Sequence, residues 1–328
     1  MRKRTAVLAI LLAAISASYF IACNNEKGKS TSEEAETKAK EDSVKNVLAR
    51  GEYLVKHVAA CLDCHSKRDF TKYAGPIVPG TEGMGGEKFD NKLLAAIPGT
   101  VYARNITPDP ETGIGNWTDE EILRAITQGI NKNGDTLFPL MPYPNFNRMA
   151  KEDLLSIIAY IRTLKPIKNS VPARQLLIPV SMTYPPNLQK SVDQNPPPPL
   201  NDQVKYGEYL VTVADCGTCH TPFMKGQPDF KRMFAGGNTF HTGLFTVTTA
   251  NITSDSATGI GSWTEERFLN KFIPYRDEKG YNFDPGKENT MMPLTVYAGM
   301  TDNDLKAIYA YLRTIPAVSN KVEKYPKK

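Results

Sequence analysis

Cys61-Leu62-Asp63-Cys64-His65 and Cys216-Gly217-Thr218-Cys219-His220 are the stretches whose residue types and spacing can do chemistry. Each reads Cys-x-x-Cys-His, the attachment signature of c-type haem. On a helix, positions i, i+3 and i+4 share one face. Two thiols placed in this way reach the two vinyl groups of one porphyrin while the histidine reaches the iron. A zinc knuckle would need further Cys or His ligands close by. The remaining histidines, His57 and His241, sit in unrelated places. A thioredoxin-like site needs a βαβ context, which the flanking sequence lacks. The two motifs therefore point to two covalently attached haem c groups. Cys61, Cys64, Cys216 and Cys219 would attach them, and His65 and His220 would be the proximal iron ligands.

Each iron then takes a sixth ligand or stays open. Met141 lies in Leu137-Phe138-Pro139-Leu140-Met141-Pro142-Tyr143, and Met292 in Met291-Met292-Pro293-Leu294. Prolines stiffen both stretches, as suits a loop that holds a thioether against iron. Methionine ordinarily fills gaps in a core. Met-Pro recurs at the equivalent place while its neighbours change, so Met141 and Met292 are the expected ligands, with Met291 the competitor. His57, four residues before Cys61, would share its helical face near the haem edge, with bis-His ligation as a minor alternative. His241 reads as a loop residue. Trp117 and Trp263 serve core packing or an indole hydrogen bond to a propionate. Arg104 has the charge to pair with a propionate, although its counterpart is Ala250.

The elements that must hold these residues come in two copies. Gly51-Glu52-Tyr53-Leu54-Val55 recurs as Gly207-Glu208-Tyr209-Leu210-Val211, each leading into a Cys-x-x-Cys-His motif. Asn105-Ile106-Thr107 recurs as Asn251-Ile252-Thr253, and Thr112 to Thr118 recurs as Thr258 to Thr264 around Gly-Ile-Gly and Trp. Ala159-Tyr160-Ile161-Arg162-Thr163 recurs as Ala310-Tyr311-Leu312-Arg313-Thr314. The order is kept while the loops vary, which fits duplication and not a solenoid of short repeats. Three helices are expected per repeat. The first runs from about Val44 or Gln203 into the motif. The second starts at Thr118 or Thr264; Thr118 with Glu121 fits a capping box, and Arg267 makes the second cap weaker. The third runs over 151–163 and 301–314, on the helical spacing of Leu154, Ile157, Ile158 and Ile161, and stops at Pro166 or Pro316.

The chain starts with a basic Arg2-Lys3-Arg4 and an apolar run from Thr5 to Ala22, short for a membrane span. Residues 1–22 read as a secretory signal. Phe20-Ile21-Ala22-Cys23 resembles a bacterial lipobox, which makes Cys23 the expected lipid attachment point. Residues 23–45 are polar without an apolar period and read as a flexible tether. Residues 46–168 and 203–328 are the two expected domains. Between them, residues 169–202 form a proline-rich segment, with Pro196 to Pro199 consecutive. Leu176, Leu177, Ile178, Val180, Met182 and Tyr184 make it too apolar for a free linker, so it should pack along the domains.

Of 328 residues, 41% are hydrophobic and 23% charged, ordinary for a soluble globular protein. The formal charge is +5, three of it from Arg2, Lys3 and Arg4, and no basic stripe argues for nucleic acid. Of the five cysteines, the motifs use all but Cys23, so none is left for a disulfide.

Asn-Ile-Thr-x-Asp-x-x-Thr-Gly-Ile-Gly-x-Trp-Thr, then Met-Pro, then Ala-Tyr-Ile/Leu-Arg-Thr, resembles the multihaem cytochrome c subunits of bacterial membrane-bound alcohol, aldehyde and gluconate dehydrogenases. The likeness covers about residues 46 to 316. Those subunits typically carry three haem domains, where this chain has two motifs. The resemblance implies an all-α, loop-rich fold of two tandem class I cytochrome c-like domains. It implies Cys61, Cys64, Cys216 and Cys219 as haem attachments, and His65 with Met141 and His220 with Met292 as axial pairs. It also implies a periplasm-facing electron carrier, held at the membrane by its lipid, between a dehydrogenase or quinol-oxidising donor and a terminal acceptor. A dihaem enzyme with one open or displaceable iron, peroxidase-like, is the alternative.

Overall fold

The repeated helices meet at glycines. Helix α1 covers 37–53 and passes into a π-helical turn at Leu54–Val58; α2 is the first motif, Cys61–His65. The computed structural model describes residues 37–224 and 227–326. Expected order was absent up to about Lys45, yet 37–45 are helical with side chains exposed throughout. Ala, Lys and Glu in that stretch have high helix propensity, so a helix forms without a face to bury. The rest of the proposed tether, the signal segment and Cys23 lie outside the described residues.

Helix α3, Asp119–Gln128, starts with the expected capping box: Thr118 Oγ1 accepts from Glu121 N–H and Glu121 Oε2 accepts from Thr118 N–H. A short α4, Tyr143–Phe146, follows Met141-Pro142, and α5 covers Lys151–Ile161. The second repeat gives α6, Gln203–Val213; α7, Cys216–His220; α8, Glu265–Leu269; α9, Leu294–Tyr297; and α10, Asp302–Leu312. Thr264 caps α8 through Arg267 N–H alone, because no acid stands at the third position.

The all-α expectation needs correction. Three small antiparallel sheets sit between the helices: β1 (Lys88–Asp90), β2 (Gly99–Tyr102) and β3 (Gln175–Leu176) in that order; β4 (Phe223–Met224) with β5 (Gln227–Pro228); and β6 (Thr239–His241) with β7 (Thr246–Thr248). Strands of two to four residues carry too few alternations to be read from sequence. His241 accordingly ends a strand rather than sitting in a loop.

The proline-rich segment is attached to the first repeat. Gln175 pairs with Thr100, Leu177 N–H donates to Pro98 O, and Asn147 exchanges hydrogen bonds with Gln189. Val192 is buried, whereas Leu177 and Met182 stay exposed.

Residues 50–328 form one compact unit, so the repeats share a body. One apolar core runs through both, from Leu54, Leu154 and Ile158 to Leu210, Leu305 and Ile308. Polar contacts between the repeats are reciprocal. Tyr53 Oη donates to Asp304 on α10, and its counterpart Tyr209 donates to Asp153 on α5 at 2.6 Å. Within the first repeat Arg50 also donates two bonds to Asp153, at 2.7 and 2.8 Å. His57 Nδ1 meets Val296 O at 3.0 Å on α9, and Asn145 on the equivalent α4 donates to Asp215 at 2.6 Å. Each repeat thus sets its first helix against the short helix after Met-Pro in the other.

Candidate functional site

In each motif the two cysteines and the histidine occupy one short helix, Cys61–His65 or Cys216–His220, and all four cysteines are free thiols. The helices begin alike. The residue before each, Ala60 or Asp215, takes a left-handed conformation at φ 51° or 52°, which turns the chain sharply out of the preceding helix. Cys64 and Cys219 are exposed, yet surrounding protein pushes the Cys219 thiol up to about 12 and that of Cys64 further.

The histidines are held in matching ways. His65 Nδ1 lies 2.6 Å from Arg104 O, and His220 Nδ1 lies 2.7 Å from Ala250 O. A carbonyl can only accept, so Nδ1 carries the hydrogen and Nε2 of the neutral ring keeps its lone pair. Burial lowers the pKa of both rings, favouring that neutral form. This is the state in which imidazole ligates a metal, with the backbone carbonyl fixing its orientation.

The Asn-Ile-Thr loop explains why those carbonyls are so placed. Arg104 and Ala250 immediately precede Asn105 and Asn251. Asn105 donates to Thr112 Oγ1 and Ile167 O and accepts from Thr107 N–H; Asn251 does the same with Thr258, Val318 and Thr253. Asp109 and Asp255 accept from the backbone and hydroxyl of Thr112 and Thr258. Glycine is required in the same loops: a Cβ at Gly113 would lie 2.2 Å from Thr107 O, and one at Gly259 2.4 Å from Thr253 O. The repeated motif is a self-stapled loop that presents one carbonyl to one histidine.

Met141 and Met292 stand at corresponding turns. Met141 O accepts from Tyr143 N–H and Met292 O from Leu294 N–H, each at 2.7 Å. Both side chains are partly buried against the main core, while Met291 packs against the separate cluster of Phe240, Phe245 and Val247. Trp117 and Trp263 also pack on the main core; Arg267 lies over the Trp263 ring at 4.7 Å. Arg104 is engaged elsewhere, donating to Val171 O and Pro172 O at 3.1 and 2.9 Å. His57 serves the contact between the repeats.

The charge of Cys219 acts on the Cys64 thiol, and that of Asp63 on the Cys219 thiol. Sequence reading missed the ion pair beside the first motif, in which Arg68 holds Asp63 at 3.1 Å with both side chains largely buried. It also missed the reciprocal Tyr–Asp pairs, although the repeat aligns their partners. Among the described residues no group of three or more His, Cys, Asp and Glu gathers as a metal site. None of their helices is long and apolar enough to cross a membrane.

The family model for cytochrome c matches residues 204–316. The chain contains a cytochrome c domain. Its paired cysteines, in no disulfide, and its lone-pair-bearing histidine fit the covalent haem c that such a domain carries. The chain is 32% identical over 294 residues to the cytochrome c subunit of alcohol dehydrogenase (quinone) from Gluconobacter oxydans, covering 85% of this chain and 56% of that one. It is 29% identical to the gluconate 2-dehydrogenase cytochrome c subunit of Pantoea cypripedii, covering 83% and 60%. It is 27% identical to a diheme cytochrome c-type protein of Cereibacter sphaeroides, covering 82% and 86%. The resemblance drawn from the motifs is thus borne out. The chain spans somewhat over half the length of the dehydrogenase subunits it matches.

Proposed function

We propose that the protein is a dihaem c-type cytochrome of two tandem cytochrome c-like domains, carrying electrons from a periplasm-facing dehydrogenase or quinol-oxidising complex to a terminal acceptor. The observation that carries this is the duplicated histidine geometry, Nδ1 on a backbone carbonyl at 2.6 and 2.7 Å beside two free thiols. Haem c supplies one-electron iron chemistry. Cys61 and Cys64 would tether the first group, Cys216 and Cys219 the second. His65 and His220 ligate through Nε2. Met141 and Met292 are the sixth ligands; the separate packing of Met291 supports Met292 over its neighbour. A methionine ligand raises the potential relative to bis-histidine. With His65 and Met141 holding one iron and His220 and Met292 the other, neither would be open to substrate, which favours a carrier over an enzyme.

The shared core supports exchange between the sites, since the motifs belong to one compact unit. The relatives' names support a dehydrogenase as donor. A lipid on Cys23 would hold the carrier at the periplasmic membrane face.

The test is haem stoichiometry and spectroscopy of the protein from Asn24 onward. Two haems per chain, low-spin ferric spectra with the methionine–iron band, and no carbon monoxide binding are expected. One haem per chain would sink the dihaem reading. Prompt carbon monoxide binding at one haem would put the peroxidase-like enzyme ahead.

A further inference from the structure

The two motifs differ in one unpaired carboxylate. Asp215 directly precedes Cys216, and the equivalent residue before Cys61 is Ala60. Both hold the same left-handed backbone, so the side chain is the difference. The Asp215 carboxylate accepts from Asn145 Nδ2 and Thr218 Oγ1, each at 2.6 Å. These donors are neutral, and no described ion pair includes Asp215. The titratable groups that face it are Tyr297, Cys216 and Cys219, none of them a cation. The first motif also has an acid, Asp63, but Arg68 neutralises it at 3.1 Å. Only the second motif therefore carries an unpaired carboxylate at its root.

We infer that Asp215 sets the order of the two potentials, holding the second haem site lower than the first. The inference rests on the dihaem reading. Reduction adds negative charge at the iron. Once ionised, a carboxylate nearby in a weakly screened interior opposes that addition, and local charge and burial are recognised levers on haem potential. Asn145 comes from the first repeat, so docking of the repeats positions this charge. The second site then gives up its electron more readily, and the direction of internal transfer runs from the second site to the first.

The test is a spectroscopic redox titration of the holoprotein at pH 9, where the carboxyl is ionised. Asp215→Ala is tolerated locally, because Ala60 already adopts this backbone. Asp215→Asn keeps both hydrogen bonds and removes only the charge. Wild type should show two waves. Each variant should raise the lower wave by a tenfold or greater change in electron partition, about 59 mV for one electron, and leave the upper wave in place. Ala60→Asp should lower the upper wave instead. An unmoved lower wave in both Asp215 variants overturns the inference, as does a wild type whose two waves coincide. A protein with one haem and one wave overturns the dihaem reading itself, which separates the two failures.

Discussion

Gly51→Ala and Gly207→Ala test the seam on which each repeat closes. A Cβ at Gly51 would lie 1.9 Å from Ser156 O and 2.8 Å from Tyr160 Cβ; one at Gly207 would lie 1.9 Å from Ala307 O and 2.9 Å from Tyr311 Cβ. The obstacle is helix backbone, which cannot swing aside as a side-chain tip can. Restoring ordinary contact requires the helices to part by about 1.5 Å, in interiors that tolerate little void space. Alanine brings a gain of about 1 kcal/mol in helix propensity over glycine. Overpacking of this kind costs about 3 kcal/mol, the upper end of its usual range. Strain wins, and each variant should lose about 2 kcal/mol of stability, with midpoints lower by roughly 5 °C for a body of this size. The assay is guanidinium and thermal unfolding of the holoprotein, followed by far-UV circular dichroism and the Soret band. Unchanged or increased stability in either variant would refute the reasoning, since it would mean the helices separate freely.

Tyr53→Phe should cost about 2 kcal/mol, because Tyr53 Oη both donates to Asp304 and accepts from Thr301 N–H. Tyr209→Phe should cost about 1 kcal/mol, since Arg50 still holds Asp153 through two bonds; urea titrations of the pair would show the ranking. Thr118→Ala removes one of the two reciprocal cap bonds of α3 and should cost about 1 kcal/mol by the same measurement. Burial raises the Asp215 carboxyl to about 7, so the folded chain keeps a proton that the unfolded chain releases near pH 4. The unfolded state then binds fewer protons between these values, and stability falls as pH rises through that window. Asp215→Asn should flatten the slope of unfolding free energy between pH 4 and 7; an identical slope would show that the carboxyl is not perturbed.

The parts of the fold that were legible in the sequence are those whose signals are local or repeated. Thr118 and Glu121 announce a helix start because the bonds they make span three residues. The motif helices and the third helices follow from spacing alone. Helix 37–45 was missed because burial was taken as the condition for order, whereas its residues need none. The strands were missed because pairs such as Gln175 with Thr100 join residues far apart in sequence and too short to alternate. Arg104 was read from its charge, but its guanidinium answers to Val171 and Pro172, which only the fold brings near.

The duplication itself held more than was taken from it. Aligning the repeats places Tyr53 with Tyr209 and Asp153 with Asp304, so a tyrosine and an acid recur at matching places. The structure resolves this by exchange: each tyrosine bonds the acid of the other copy. A recurring polar residue on a buried face must find a partner. When two copies carry the same unsatisfied pair, crossing between copies satisfies both at once and fixes how they dock. The same exchange is broken at one point. Asn145 meets Asp215, while the equivalent Val296 offers only a carbonyl to His57. A near-symmetric interface with such an exception gives the two motifs different electrostatic surroundings. In the dihaem reading two identical sites would have no preferred direction between them, and this departure from symmetry would supply one.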